Sequence, residues 1–328
     1  MGVRPRRPLP RFALLGDLAR SPRCSPFPTV SRLPFDKLRD YGGPLRGGYH
    51  RSRFVSLTKN IYRILTNFAP QKHKIMRVTL VQTDLFWEDA AQNRAMLDQK
   101  LQNIQPTDLV VLPEMFTTGF SMRPHQIAET TTGETMQWLT QWAKKLNAAI
   151  TGSLIIQSGQ NYLNRMIWVQ PDGHIEQYDK KHLFTLGGEH QHYTAGNDRV
   201  TVEWRGCRFR LQICYDLRFP VWSRNHDNYD ALIYVANWPE RRAHAWRTLL
   251  MARAIENQSY VIGVNRIGTD GNGLHYIGDS TVIDYLGTPI FEAKGTEQVG
   301  SCTLNKHELA SFRTSLPFLT DRDKFDFV

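Results

Sequence analysis

Three residues that can do chemistry together stand at the same kind of place in this sequence, the end of a segment that reads as a strand. Glu114 follows Leu109-Val-Val-Leu-Pro113, Lys180 lies just past Ile175-Glu-Gln-Tyr178, and Cys214 follows Phe209-Arg-Leu-Gln-Ile213. A thiol attacks an amide carbonyl only as thiolate, so a base must take its proton. A carboxylate can do so and can later activate the water that releases the acyl group. The tetrahedral intermediate carries an oxyanion, which an ammonium and a backbone N–H can stabilise. Taken singly, each residue has a blander reading. A buried cysteine is most often a small hydrophobe, and a charged residue after a strand is most often solvated or ion-paired.

The elements that must position these groups alternate along the chain. The run 109–113 is short, continuous and apolar, as in a strand buried on both faces. Arg77–Gln82, Ala149–Ile156, Leu163–Gln170, Ala231–Ala236, Tyr260–Asn265 and Ser280–Asp284 read as further strands. Val200–Trp204 and Cys207–Ile213, joined through Arg205-Gly206, read as a hairpin. Leu286-Gly-Thr-Pro289 reads as a turn. Ala90, Leu97, Leu101 and Ile104 share one helical face, as do Met136, Leu139, Ala143 and Leu146, and Trp246, Leu249, Leu250 and Ala254. The pattern predicts an α/β domain with helices covering the sheet layers. In such sheets, sites gather beyond the carboxyl ends of strands. Strand phase puts Cys207, Phe209, Leu211 and Ile213 on one face and Cys214 on the other, so Cys207 reads as core and no Cys207–Cys214 bridge is expected.

The net charge of +10 suggests an anionic partner until its distribution is examined. Residues 1–75 hold 16 Lys and Arg against Asp17, Asp36 and Asp40, a net of +13, and the remainder nets −3. The body therefore shows no general attraction to nucleic acid. No apolar run approaches the ~18 residues of a membrane span. Four cysteines without a CxxC pair suggest neither a zinc site nor a disulfide framework, and a reduced cytoplasmic setting is the natural reading. Residues 1–75 are Pro- and Arg-rich and keep no period. A disordered basic tail, a transit peptide and an upstream extension with the natural start at Met76 compete, although the many prolines fit poorly with the amphipathic helix of a transit peptide. The extension is preferred, because Met76 opens directly into a strand, which leaves residues 76–328 as a single domain.

The strings around the three reactive residues narrow the class. Leu112-Pro-Glu-Met-Phe116, Tyr178-Asp-Lys-Lys-His-Leu-Phe184 and Ile213-Cys-Tyr-Asp-Leu-Arg-Phe-Pro220 resemble, in order and interval, the three signature segments of the nitrilase superfamily of carbon–nitrogen hydrolases. Ala236-Asn-Trp-Pro239, Arg253-Ala-Ile-Glu-Asn257 and Gly278-Asp-Ser280 are also similar to family segments. The resemblance spans about residues 76–315. It implies a four-layer αββα sandwich, with Glu114 as general base, Cys214 as nucleophile and Lys180, rather than Lys181, as the lysine of the site. The Lys180 ammonium and the Tyr215 N–H would form the oxyanion hole. Glu189 resembles a second glutamate that orients substrate and lysine, and Phe116, Trp238 and Arg218 would also orient substrate.

Within the superfamily, Leu112–Phe120, Glu189–Gly196 and Cys214–Trp222 are most similar to bacterial omega-amidases. This likeness implies hydrolysis of the terminal amide of 2-oxo dicarboxylate monoamides, such as 2-oxoglutaramate and 2-oxosuccinamate, with release of ammonia. The alternative is another aliphatic amidase or carbamoyl hydrolase of the superfamily. A substrate with a remote carboxylate calls for a cation in the pocket, and Arg218, Arg241 and Arg242 are candidates by position. For Arg218 an ion pair with Asp216 competes with that role. No cofactor or metal is expected, since His190-Gln-His192 places two histidines at i and i+2 with no third ligand nearby. The family likeness further implies a homodimer, built through the Phe219–Asn225 region and the 242–257 helix.

Overall fold

The computed structural model describes residues 75–325. The expectations for the basic N-terminal segment fall on residues outside this range, apart from its last residue, Ile75. The chain from there forms β1 (Ile75–Gln82), α1 (Ala90–Leu101), β2 (Leu109–Val111), α2 (Pro124–Ile127), α3 (Glu134–Leu146), β3 (Ala149–Ser158), β4 (Asn161–Val169) and β5 (Ile175–Asp179). It continues through β6 (Thr201–Trp204), β7 (Cys207–Ile213), α4 (Pro220–Ser223), β8 (Ala231–Ala236), α5 (Ala243–Asn257), β9 (Tyr260–Asn265), β10 (Ile267–Thr269) and β11 (His275–Ile283). β12 (Pro289–Lys294), β13 (Gln298–Asn305) and α6 (Lys306–Ser315) complete it.

Two sheets result. The first runs β13-β1-β2-β3-β4-β5, with β1, β2 and β3 parallel. The second runs β10-β11-β9-β8-β7-β6, with β7, β8 and β9 parallel and β12 paired to β11. Strand alternation explains how the sheets stack. Leu109 and Val111 enter the core shared with Phe209, Leu211 and Ile213 of the second sheet, while Val110 and Leu112 pack with Leu97, Leu139 and Ala143 of α1 and α3. Trp246, Leu250 and Ala254 of α5 pack on the second sheet. The order helices, sheet, sheet, helix is a four-layer αββα sandwich, as the sequence implied. No helix among the described residues is long and apolar enough to cross a membrane.

Some elements were not legible. β10, β12, β13 and α6 were not anticipated, and β11 begins five residues before Ser280. β12 and β13 are largely exposed and rich in Glu, Lys, Gln, Gly and Ser, so they lack the apolar alternation that marks a half-buried strand. Their strandness comes from pairing with β11 and β1.

Candidate active site

Glu114 and Cys214 sit where strands end in tight turns. Met115, immediately after Glu114, has φ 44°, and Cys214, immediately after β7, also has φ 44°. A side chain in this left-handed region costs roughly 1–2 kcal/mol, so the surroundings must hold it there. The first turn is pinned by Ser153, whose Oγ accepts from Met115 N–H at 2.9 Å. The second carries Cys214–Arg218 as a turn of 3-10 helix. Cys214 is therefore aimed by this turn and not by strand phase, and it shares a core cluster with the buried Cys207.

The fold brings Glu114, Lys180 and Cys214 together across 66 and 34 residues of chain. Glu114 and Lys180 have fully buried side chains. Lys180 Nζ donates to Glu114 Oε1 at 2.9 Å and to both oxygens of Glu189 at 3.0 and 2.9 Å. Glu189 is itself fully buried and also accepts from Phe184 N–H at 2.6 Å. It holds the lysine from behind and does not line the cavity. Lys181, by contrast, reaches Asn197 Oδ1 at the surface.

Two asparagines complete the cluster, and neither was given a role from the sequence. Asn164 Nδ2 donates to Glu114 Oε1 at 2.8 Å and to Glu189 Oε1 at 3.2 Å. Asn237 gives its backbone N–H to Glu114 Oε2 and its side-chain Nδ2 to Glu114 O, both at 2.7 Å. The available signal for Asn164 was a strand-disfavoured residue at a buried position of β4, between Leu163 and Met166. Asn265 in turn fixes the loop after β8, accepting from Trp238 N–H at 2.8 Å and donating to Trp238 O at 2.9 Å.

The electrostatics follow from this crowding. Burial pushes the Cys214 thiol well above its ordinary value, and the Glu114 charge adds to the effect while Lys180 opposes it. Burial alone would lower the Lys180 ammonium, but Glu114 and Glu189 outweigh it and raise it. Burial likewise raises Glu189, against the pull of Lys180. The resting site thus holds a neutral thiol close to an ammonium.

A cavity of about 360 Å³ opens above Cys214. Its walls include Phe120, Met122, Phe184, Tyr215 and Trp238, together with Arg218, Arg241, Arg242, Asp270 and Tyr276. Glu114 and Lys180 lie beneath it, with Lys180 Nζ 5.1 Å from the Phe120 ring centre. The expectation that Phe116 orients substrate is corrected. The turn at Met115 sends Phe116 into the core against Trp138, 6.0 Å between ring centres, and Phe120 takes the place on the wall. Gly152 makes room for it, since a Cβ there would come within 2.9 Å of the Phe116 ring. The Arg218–Asp216 ion pair does not form either. Asp216 is occupied by Tyr178 and His182, and the Arg218 guanidinium lies 4.9 Å from the centre of the Trp238 ring. His190 and His192 are exposed, and no group of three or more His, Cys, Asp or Glu among the described residues is placed to hold a metal. A larger cleft of about 550 Å³ borders Cys302, where burial alone pushes the thiol up to about 12 and leaves it unactivated.

Comparison with known proteins places this geometry. Residues 77–314 match the carbon–nitrogen hydrolase family model. The chain is similar to omega-amidase YafV of Yersinia enterocolitica, 49% identical over 251 residues, covering 76% of this chain and 98% of that enzyme. It is also similar to the 2-oxoglutaramate amidase of Bacillus subtilis, 34% identical over 219 residues, covering 65% of this chain and 84% of that one. A CN-hydrolase superfamily protein from Xanthomonas campestris, solved with an arsenic adduct in its active site, superposes with a TM-score of 0.76 at 46% identity, covering 77% of this chain and 99% of that one. With the αββα sandwich and this extent of matching, the chain belongs to the carbon–nitrogen hydrolase family.

Proposed function

We propose that this chain is an omega-amidase, hydrolysing the terminal amide of 2-oxo dicarboxylate monoamides such as 2-oxoglutaramate and 2-oxosuccinamate. The observation that carries the reading is the pairing of a nucleophile-bearing cavity floor with an unpaired cationic wall. Among the described residues, Arg218, Arg241 and Arg242 have no carboxylate partner, yet all three border the cavity above Cys214. Burial and the neighbouring Arg241 lower the Arg242 guanidinium from its ordinary value, a crowding that an anionic substrate relieves. The similarity to proteins named omega-amidase and 2-oxoglutaramate amidase supports this reading.

In the proposed mechanism Glu114 takes the thiol proton as Cys214 Sγ attacks the amide carbon. The oxyanion is held by the Lys180 ammonium and the Tyr215 N–H. The C–N bond breaks, Glu114 returns the proton to the leaving nitrogen, and ammonia departs from a Cys214 thioester. Glu114 then deprotonates water as its oxygen attacks the thioester carbon, the C–S bond breaks, the proton passes from Glu114 back to Cys214 Sγ, and the 2-oxo dicarboxylate departs. Trp238, held by its Nε1–H bond to Arg242 O at 2.8 Å, supports the Arg218 wall.

The test is ammonia release from a panel of amides with and without a remote carboxylate. Arg218→Ala raises KM for the carboxylate-bearing monoamides roughly 10- to 100-fold, the worth of a hydrogen bond to a charged group. It leaves a neutral amide of equal length nearly unaffected. Equal loss on both classes, or a wild type that prefers the neutral amide, overturns the assignment.

The proposed assembly is a homodimer in the cytoplasm. Cys207, Cys214 and Cys302 are free thiols, which suits a reducing compartment. Trp222, Ser223 and Asn225 are buried within the chain, which narrows the first candidate surface to Val221 and its neighbours. Val221 is 50% exposed, and Met251 and Ile255 on α5 are 40% and 51% exposed, an apolar set suited to pairing. Light scattering at micromolar concentration should give twice the chain mass, and a monomer would contradict this.

A further inference from the structure

We propose that Asp216 is a positioning residue that sets the nucleophile and the lysine of the site in register with each other. The inference rests on the roles given above to Cys214 and Lys180 and adds the device that holds them together. Asp216 is fully buried, two residues after Cys214. Its Oδ2 accepts from Ile213 N–H at 3.0 Å, on the near side of the cysteine, so the carboxylate closes the turn in which Cys214 keeps its positive φ. The same oxygen accepts from Tyr178 Oη at 2.7 Å. Its Oδ1 accepts from His182 N–H at 3.0 Å and lies 2.8 Å from His182 Nδ1.

Tyr178 and His182 stand two residues before and two residues after Lys180. One carboxylate thus grips both shoulders of the lysine loop and the root of the nucleophile turn. Three further contacts brace it. The His182 ring stacks on Phe219 with 3.6 Å between centres and 5° between planes, and Phe219 N–H donates to Asp216 O at 3.0 Å. Trp222 Nε1 donates to Tyr178 Oη at 3.0 Å. A charged acceptor makes stronger bonds than a neutral one, and this one has no competing cation from Arg218. Because the grip joins segments 34 residues apart, loosening it shifts Cys214 relative to Lys180 without removing either group.

Asp216→Asn tests this. Whichever way the amide turns, its N–H₂ faces a backbone N–H, that of Ile213 or that of His182, donor against donor, so one of the two grips is lost. The expected result, measured well below the melting temperature of each variant, is kcat down about 100-fold with KM within about threefold, since an ångström of misplacement costs about that much. Tyr178→Phe nearly keeps the volume and removes the bond to Asp216 together with those the hydroxyl accepts from Trp222 and Lys181 N–H, and it should lower kcat about tenfold with KM again kept. A folded Asp216→Asn variant with kcat within threefold of wild type, or a loss carried by KM, overturns the proposal. If Asp216→Asn does not fold, wild-type kcat in Tyr178→Phe overturns it. Either outcome leaves the amidase reading standing, whereas a wild type that releases no ammonia from any amide sinks that reading instead.

Discussion

Cys214→Ser is expected to fold as the wild type does and to lose hydrolysis by ~10⁴-fold or more, as removal of a nucleophile does elsewhere. The hydroxyl is nearly isosteric with the thiol, so packing in the buried turn barely changes, but it is a far poorer nucleophile beside a carboxylate base. The double variant Cys214→Ser with Glu114→Gln should be no slower than Cys214→Ser alone, because the groups act as a unit. Wild type quenched during turnover should carry an acyl group on Cys214 by mass spectrometry, and Cys214→Ser should not. The pH profile adds an independent check. The thiol is held well above its ordinary value, so it keeps its proton at rest through the range in which a free thiol would ionise. The expected kcat/KM is level from pH 7 to 9, without the break near ~8.5 that a free thiol would show. The sign for stability follows from the same shift. A group whose folded pKa is raised stabilises the fold below its unfolded pKa, and that contribution fades as pH climbs past 9 because the unfolded thiol ionises first. Near-wild-type turnover in Cys214→Ser would remove the covalent mechanism altogether.

The second large effect is at Lys180. Lys180→Met leaves Glu114 and Glu189 buried with no cation between them. Removing one member of a buried ionic cluster costs about 3–5 kcal/mol, which is a fall in melting temperature of roughly 10 °C for a domain of this size. Activity should fall ~10³-fold, the upper range for losing an oxyanion donor. The stability and activity losses can be separated. Adding Glu189→Gln removes one of the two stranded charges, so the Lys180→Met, Glu189→Gln pair should recover much of the stability and none of the activity. Thermal melts and ammonia release on the three proteins check this. A double variant that regains turnover would show that the lysine only balances charge and does not stabilise the oxyanion.

Much of this protein was readable without its fold. The apolar run before Glu114 required a strand buried on both faces, and its residues do alternate between the two cores. The hairpin of β6 and β7, the three amphipathic helices and the order of the reactive segments followed from periodicity and local strings, because those depend on neighbours in sequence. What the chain alone left open depends on neighbours in space. Phe116 and Phe120 are equivalent as residue types four apart, and the left-handed turn at Met115 and the room left by Gly152 decide which enters the core and which lines the cavity. Asp216 and Arg218 look like an ion pair two residues apart, but a buried carboxylate takes the donors that the fold brings nearest, and those are Tyr178 and His182. Asn164 and Asn237 carry no chemistry of their own. Their importance arises because two buried carboxylates need every lone pair satisfied, and only the packing of β4 and the loop after β8 puts amide N–H groups within 3.2 Å of them.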